Sequence, residues 1–193
     1  MKIALFLGSF DPFHKGHLEC INKALNDYKM DKVIIVPAMQ NPWKGRELID
    51  FNKRCYIIYK SLFGIKGKEN GLYIFGVPDN IELSTIEAKL IPPYYSYATL
   101  HALKNKYCND EIFILCGEDA IEDIPNWMNG EQIVQDYDFL VIDRPKNSIS
   151  SSSIKEILRT RNKMDAYYYD EKLAEYVSPN VIDLLKRYYG KSN

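Results

Sequence analysis

The sequence predicts an α/β protein: a doubly wound parallel sheet of about five to six strands followed by a helical C-terminal portion. Two observations carry that expectation. Short aliphatic runs bounded by Gly, Pro, Asp or Asn alternate with stretches of helical spacing, the pattern of a parallel sheet covered on both faces. After Arg144-Pro145 the strand-like runs stop and only helical patterns follow.

The runs at 2–7, 32–36, 72–75, 111–116 and 139–142 are read as buried strands, because each is four to six residues long and mostly apolar. Helical spacing occupies 16–28, 51–63 and 95–107, with a weaker piece at 130–135. Beyond them, 151–160 and 180–189 read as the helices of the C-terminal portion. No internal repeat or Gly/Ser/Pro-rich linker divides the chain, so one domain over 1–193 is expected, with a sheet core at about 1–145 and helices at about 150–193.

Composition narrows the function classes. With 193 residues, 46% of them hydrophobic and 26% charged, the chain can bury a core without disulfides or a structural metal. A formal net charge of −1 argues against a sequence-independent grip on nucleic acid, which draws on basic excess. Small anions need only a local patch. Cys20, Cys55, Cys108 and Cys116 lack paired spacing and read as buried thiols of a reducing cytoplasm rather than a disulfide or zinc framework. The opening apolar run breaks at Gly8, too soon for a membrane span or signal core.

Ligands of doubly wound sheets sit beyond the carboxyl ends of strands, so the loops that follow strands matter most. The first runs Gly8-Ser9-Phe10-Asp11-Pro12-Phe13-His14-Lys15-Gly16-His17, directly before the first helix. Gly8 permits a turn that a Cβ would hinder, and Gly16 lets a ligand approach a helix N-terminus, where N–H groups and the macrodipole favour phosphate. His14 and His17, three residues apart, can donate N–H to one anionic oxygen. Alternatively they cap and pack the helix start, or ligate a metal, although no Cys, Asp or Glu completes a metal set at helical spacing.

The string GSFDPxHxGH resembles the HxGH nucleotidylyltransferase superfamily, and within it the bacterial nicotinate-mononucleotide adenylyltransferases. Four further segments share the resemblance in order. Val36-Pro37-Ala38 with Asn41-Pro42-Trp43-Lys44 is similar to that family's second-strand loop, and Tyr95-Ser96-Tyr97-Ala98-Thr99-Leu100 to its SYTxDTL segment. Cys116-Gly117-Glu118-Asp119 followed by Ile124-Pro125-Asn126-Trp127 resembles GxD…LPxW, and Ile149-Ser150-Ser151-Ser152-Ser153-Ile154-Lys155 resembles ISSTxIR.

The resemblance implies a Rossmann-like fold and transfer of AMP from ATP to nicotinate mononucleotide, with Mg²⁺ present and pyrophosphate released. It implies that His14, His17, Lys44 and Lys155 serve catalysis. ATP would meet Gly8, Ser9, Phe10, Gly16, Gly117, Asp119, Ser151, Ser152 and Ile154, with Ser151 and Ser152 capping a phosphate-facing helix and Asp119 accepting from a ribose. The mononucleotide would meet Lys44, Tyr95, Ser96 and Trp127, the last stacking on the pyridine ring. Tyr167-Tyr168-Tyr169 has no counterpart and reads as packing or a subunit contact. The partners expected are ATP and a pyridine mononucleotide, with no nucleic acid and no membrane, and a homo-oligomer is left open. So are nicotinamide mononucleotide or phosphopantetheine as substrate, and a nucleotide-binding sensor without activity.

Three residues depart from the pattern: Lys155 stands for its arginine, Trp43 for a common histidine, and Ala98 for its aspartate. The short stretch 144–149 leaves little room for a last strand, so the sheet is expected to end early with helices following.

Overall fold

The computed structural model describes residues 1–40, 48–69, 72–143, 150–160 and 166–190, without the side chains of 65–69, 72–75, 119, 166 and 167. The chain divides into two compact units: Met1–Ser9, Cys20–Leu48 and Asn80–Lys146 form the first, and Phe10–Glu19, Ile49–Asp79 and Asn147–Asn193 the second.

The first unit holds a five-stranded parallel sheet. Its strands are β1 (Lys2–Gly8), β2 (Lys32–Pro37), β5 (Ile81–Leu83), β6 (Glu111–Gly117) and β7 (Asp138–Ile142), ordered β5-β2-β1-β6-β7. The chain therefore builds outward from β1 through β2 to β5, then returns to add β6 and β7 on the other side. The reversal lies between β1 and β6, where Phe6 pairs with Leu115. Such a switch point opens a crevice at the carboxyl ends of the strands. Gly8 ends β1 and Gly117 ends β6.

Both faces of this sheet are buried, as continuous aliphatic runs require. Ile3 and Leu5 of β1, Ile34 and Val36 of β2 and Ile114 of β6 pack with Leu100 and Leu103 of α3 (Ser96–Lys106) and Ile133 of α5 (Gly130–Asp136). The alternate residues Ala4, Phe6, Val33 and Ile35 are buried as well. Each Val, Leu, Ile or Phe side chain so removed from water contributes about 1.5–3 kcal/mol.

The run at 72–75 is a strand but not part of this sheet. It forms β4 (Leu72–Gly76), antiparallel to β3 (Gly64–Glu69), in a two-stranded sheet of the second unit. The third parallel strand is instead β5, three residues long, too short to show as an apolar run. Among the described residues β7 is the last strand, and helices follow it.

The second unit gathers α2 (Phe51–Leu62), α6 (Ser151–Arg159), α7 (Ala166–Tyr176) and α8 (Ile182–Tyr189). Asp50 caps α2 by accepting the Lys53 N–H. The helix α7 was not expected from the sequence, yet Tyr169, Leu173 and Val177 lie four residues apart and are all buried. Tyr169 donates its hydroxyl to the Leu158 carbonyl of α6 at 3.3 Å, so packing is the role of that tyrosine, whereas Tyr168 is exposed. Of the thiols, Cys20 and Cys116 are buried as expected; Cys55 is half-buried, and Cys108, just past the end of α3, is exposed. No helix among the described residues is long and apolar enough to cross a membrane.

Candidate active site

The loop after β1 leads into α1 (Lys15–Asn26). Phe10 takes a left-handed backbone conformation, φ 46°, at the bend. His14 occupies the N-cap, its carbonyl accepting the N–H groups of His17 at 2.9 Å and Leu18 at 3.2 Å. His17 stands at the third helical position, and its Nδ1 accepts the backbone N–H of His14 at 3.2 Å. This reciprocal reach from third position to cap is the one glutamate or glutamine makes in a capping box. It accounts for the three-residue spacing of the two histidines.

The hydrogen bond also selects a tautomer. A ring nitrogen that accepts is unprotonated, so the proton of neutral His17 sits on Nε2 as a donor. The two imidazoles stack with centroids 3.7 Å apart, Phe13 stacks on His17 at 5.2 Å, and Phe10 meets it edge-on at 5.0 Å. His14 is buried while His17 is half-exposed. The pair thus caps and packs the helix start while one ring is held in a defined orientation.

The serine run of α6 is arranged differently from the expectation. Ser150, not Ser151 or Ser152, is the N-cap, its hydroxyl accepting the Ser153 N–H at 3.1 Å. Ser151 donates its hydroxyl to the Pro12 carbonyl at 2.9 Å, tying the start of α6 to the histidine loop. Ser152 is exposed. Ile154 is fully buried and its N–H donates to the Ser150 carbonyl, so it packs α6. Four serines in a row offer four possible caps, and which one is used depends on where the chain enters the helix.

Lys155 lies one turn on, with its ammonium on Asp11 Oδ2. Asp11 is buried, and its other oxygen accepts the Tyr189 hydroxyl at 2.5 Å. Burial, and then the adjoining Asp11 charge, push the Tyr189 phenol far above the usual tyrosine range, so it remains a donor. Asp11 and Tyr189 were not among the sequence candidates. Asp11 stood inside the motif, and a carboxylate among groups suited to anions is itself a signal that a counter-ion must lie close.

In the first unit, Gly8 pairs with Pro37, and its carbonyl accepts the Ala38 N–H at 2.9 Å. Ser9 follows it, half-buried. Gly117 is the N-cap of the short helix α4 (Glu118–Ile121), which contains Asp119; the Asp119 side chain lies outside the described residues. Tyr95 is the N-cap of α3 and Ser96 its first residue, both half-buried. Trp127 closes the turn Ile124–Asn126, half-buried, with part of its ring against the core. Gly130 anchors that turn: its N–H donates to the Trp127 carbonyl at 2.9 Å, and a Cβ there would overlap the Ile124 carbonyl oxygen. Lys44, Trp43 and Ile149 lie outside the described residues. Gly16 is the second residue of α1.

Among the described residues no three His, Cys, Asp or Glu side chains form a group that could hold a metal. A cavity of about 190 Å³ borders His14 and is lined by Phe13, Leu18, Ser61 and Pro179 among others. It is smaller than the ~300 Å³ and more of ordinary small-molecule sites.

The profile of the cytidylyltransferase-like family matches residues 5–157. The chain belongs to that family. This cytidylyltransferase-like chain is 30% identical to a Campylobacter jejuni protein named "probable nicotinate-nucleotide adenylyltransferase", over 99% of its own length and 98% of the relative's. It is 26% identical to the nicotinate-nucleotide adenylyltransferase of Bacillus subtilis, over 93% and 96% of the two chains. Its fold is similar to that of a Plasmodium falciparum nicotinic acid mononucleotide adenylyltransferase solved with NaAD, with a TM-score of 0.69 over 97% and 95% of the chains at 21% identity.

Proposed function

We propose that this chain is a nicotinate-nucleotide adenylyltransferase, transferring AMP from ATP to the 5′-phosphate of nicotinate mononucleotide. The observation that carries the reading is the histidine pair: His17 held by the His14 N–H with its proton on Nε2, at the N-terminus of α1. The full-length similarity to adenylyltransferases supports it.

A phosphate monoester is largely dianionic near neutral pH, so the attacking oxygen needs alignment more than a base. It forms a bond to the α-phosphorus of ATP while the bond from that phosphorus to the bridging oxygen breaks, and pyrophosphate leaves with the electron pair. Charge then grows on the α-phosphoryl oxygens and the departing group. His17 Nε2–H, the first-turn amides of α1 and the Lys155 ammonium meet that charge. Gly8, Ser9 and Phe10 bring backbone close to the nucleotide, Gly117 also meets it, Asp119 accepts from its ribose, and Ser151 and Ser152 line the phosphate side. Lys44, Tyr95, Ser96 and Trp127 receive the mononucleotide, Trp127 through its ring face.

Mg²⁺ enters with ATP. A cation ligated chiefly by substrate phosphates and water needs no protein cage, and its chemistry would be to neutralise polyphosphate charge. The compartment that suits this reading is a reducing cytoplasm, given cysteines without disulfide spacing.

The test is pyrophosphate release by purified protein with ATP, Mg²⁺ and, in separate reactions, nicotinate mononucleotide, nicotinamide mononucleotide, phosphopantetheine and FMN. Fastest release with nicotinate mononucleotide supports the reading. Preference for another acceptor reassigns the substrate, and no release with any acceptor contradicts the enzymatic reading.

A further inference from the structure

We infer that Tyr189, at the end of the C-terminal helix, is a positioning residue that sets through Asp11 how readily Lys155 turns to a nucleotide polyphosphate. The inference rests on the adenylyltransferase reading of the histidine loop. Asp11 and Tyr189 are 178 residues apart in sequence, yet the phenol donates to Asp11 Oδ1 while Lys155 occupies Oδ2. The carboxylate is 3% exposed. A charge buried to that degree persists only while it is paired or hydrogen-bonded.

Lys155 is the member of this cluster able to move. Its side chain is 26% exposed, against 3% for Asp11, and an ammonium on a flexible stem exchanges acceptors more easily than a guanidinium fork. One compact ammonium serves two anions poorly, so drawing Lys155 toward ATP loosens its hold on Asp11. The carboxylate then depends on the Tyr189 hydroxyl. Arg54, wholly buried on α2, stays close enough for its charge to act on Tyr189. With Tyr189 in place the transfer of Lys155 leaves Asp11 still bonded; without it, Asp11 retains the lysine and ATP binds less well. Groups sharing one network are coupled in this way.

Calorimetric titration with ATP alone separates this inference from the choice of acceptor. Tyr189→Phe should weaken ATP about five- to tenfold, and the same change in an Asp11→Asn background should have no further effect, because the asparagine leaves no charge to be stranded. Asp11→Asn alone, which releases the lysine, should tighten ATP about threefold or more, and this reading stands even if Tyr189→Phe does not fold. Equal affinity in wild type and Tyr189→Phe overturns the inference. So does an equal loss in both backgrounds, as a merely structural role would give, or unchanged or weaker binding by Asp11→Asn. A wild-type chain that fails to bind ATP removes the reading of the loop and this inference together; wild-type binding without the Tyr189 effect removes the inference alone.

Discussion

His17 accepts the backbone N–H of His14 through Nδ1 at 3.2 Å, and the two rings stack with centroids 3.7 Å apart. One hydrogen bond thereby completes the cap of α1 and fixes the tautomer of the ring beside it. The structural and the chemical roles of the pair are two ends of the same imidazole.

Replacing His17 by Ala should lower turnover at least about a hundredfold while ATP affinity falls less, because donors aimed at developing charge act mainly on rate. The same change removes the bond to the cap and should cost about 1 kcal/mol of folding stability. His17→Gln can restore the bond to the cap, so it should recover the melting temperature without recovering turnover. Steady-state kinetics with ATP titration and thermal melts check both; equal losses in turnover and ATP affinity would contradict the role.

Trp127→Ala should raise KM for the mononucleotide and leave KM for ATP nearly unchanged, because a stacking face is lost on one substrate only. Since part of the ring lies on the core, the melting temperature should fall as well. An unchanged mononucleotide KM would rule out stacking.

Gly130→Ala should destabilise the chain by about 2 kcal/mol or more, because the added Cβ meets the Ile124 and Pro125 carbonyls, backbone that cannot swing aside. Urea unfolding measures it, and a wild-type midpoint would contradict the close approach.

Glu82 predicts a pH signature. Burial raises its pKa, but the Tyr107 hydroxyl at 2.9 Å and the ammoniums of Lys106 at 3.1 Å and Lys32 at 3.4 Å more than offset this, leaving the carboxyl below its ordinary value near 4.5. A lowered folded-state pKa contributes stability above pH 4.5 that fades as pH falls through the folded value. Glu82→Gln should therefore be less stable than wild type at pH 7, and the difference should be smaller near pH 3. Denaturant midpoints at the two pH values check this, and a constant difference would contradict it.

What the sequence made legible is local. The runs that became β1, β2, β6 and β7 were visible because each is a contiguous, mostly apolar stretch, and the histidine loop because its residues are contiguous. The strand β5 was hidden by its three-residue length, and β3 by its lysines and glycines, although Asn70-Gly71 between the paired Glu69 and Leu72 is a strong hairpin signal. The buried stripe of Tyr169, Leu173 and Val177 spelled α7 at helical spacing, but a run of three tyrosines masked it. The bond between Asp11 and Tyr189 was beyond reach, since no local pattern links residues that only the packing of α8 brings together. The choice of Ser150 as cap over its three neighbours likewise follows from tertiary entry geometry.

The central claim is in-line transfer of AMP between two small molecules without a covalent enzyme intermediate. Its most direct test follows the label from ATP marked at the α-phosphate, incubated with nicotinate mononucleotide and the purified chain. All transferred label should appear in the dinucleotide, with unlabelled pyrophosphate released in equal amount. Label recovered as free AMP, or bound to the protein, would contradict the account.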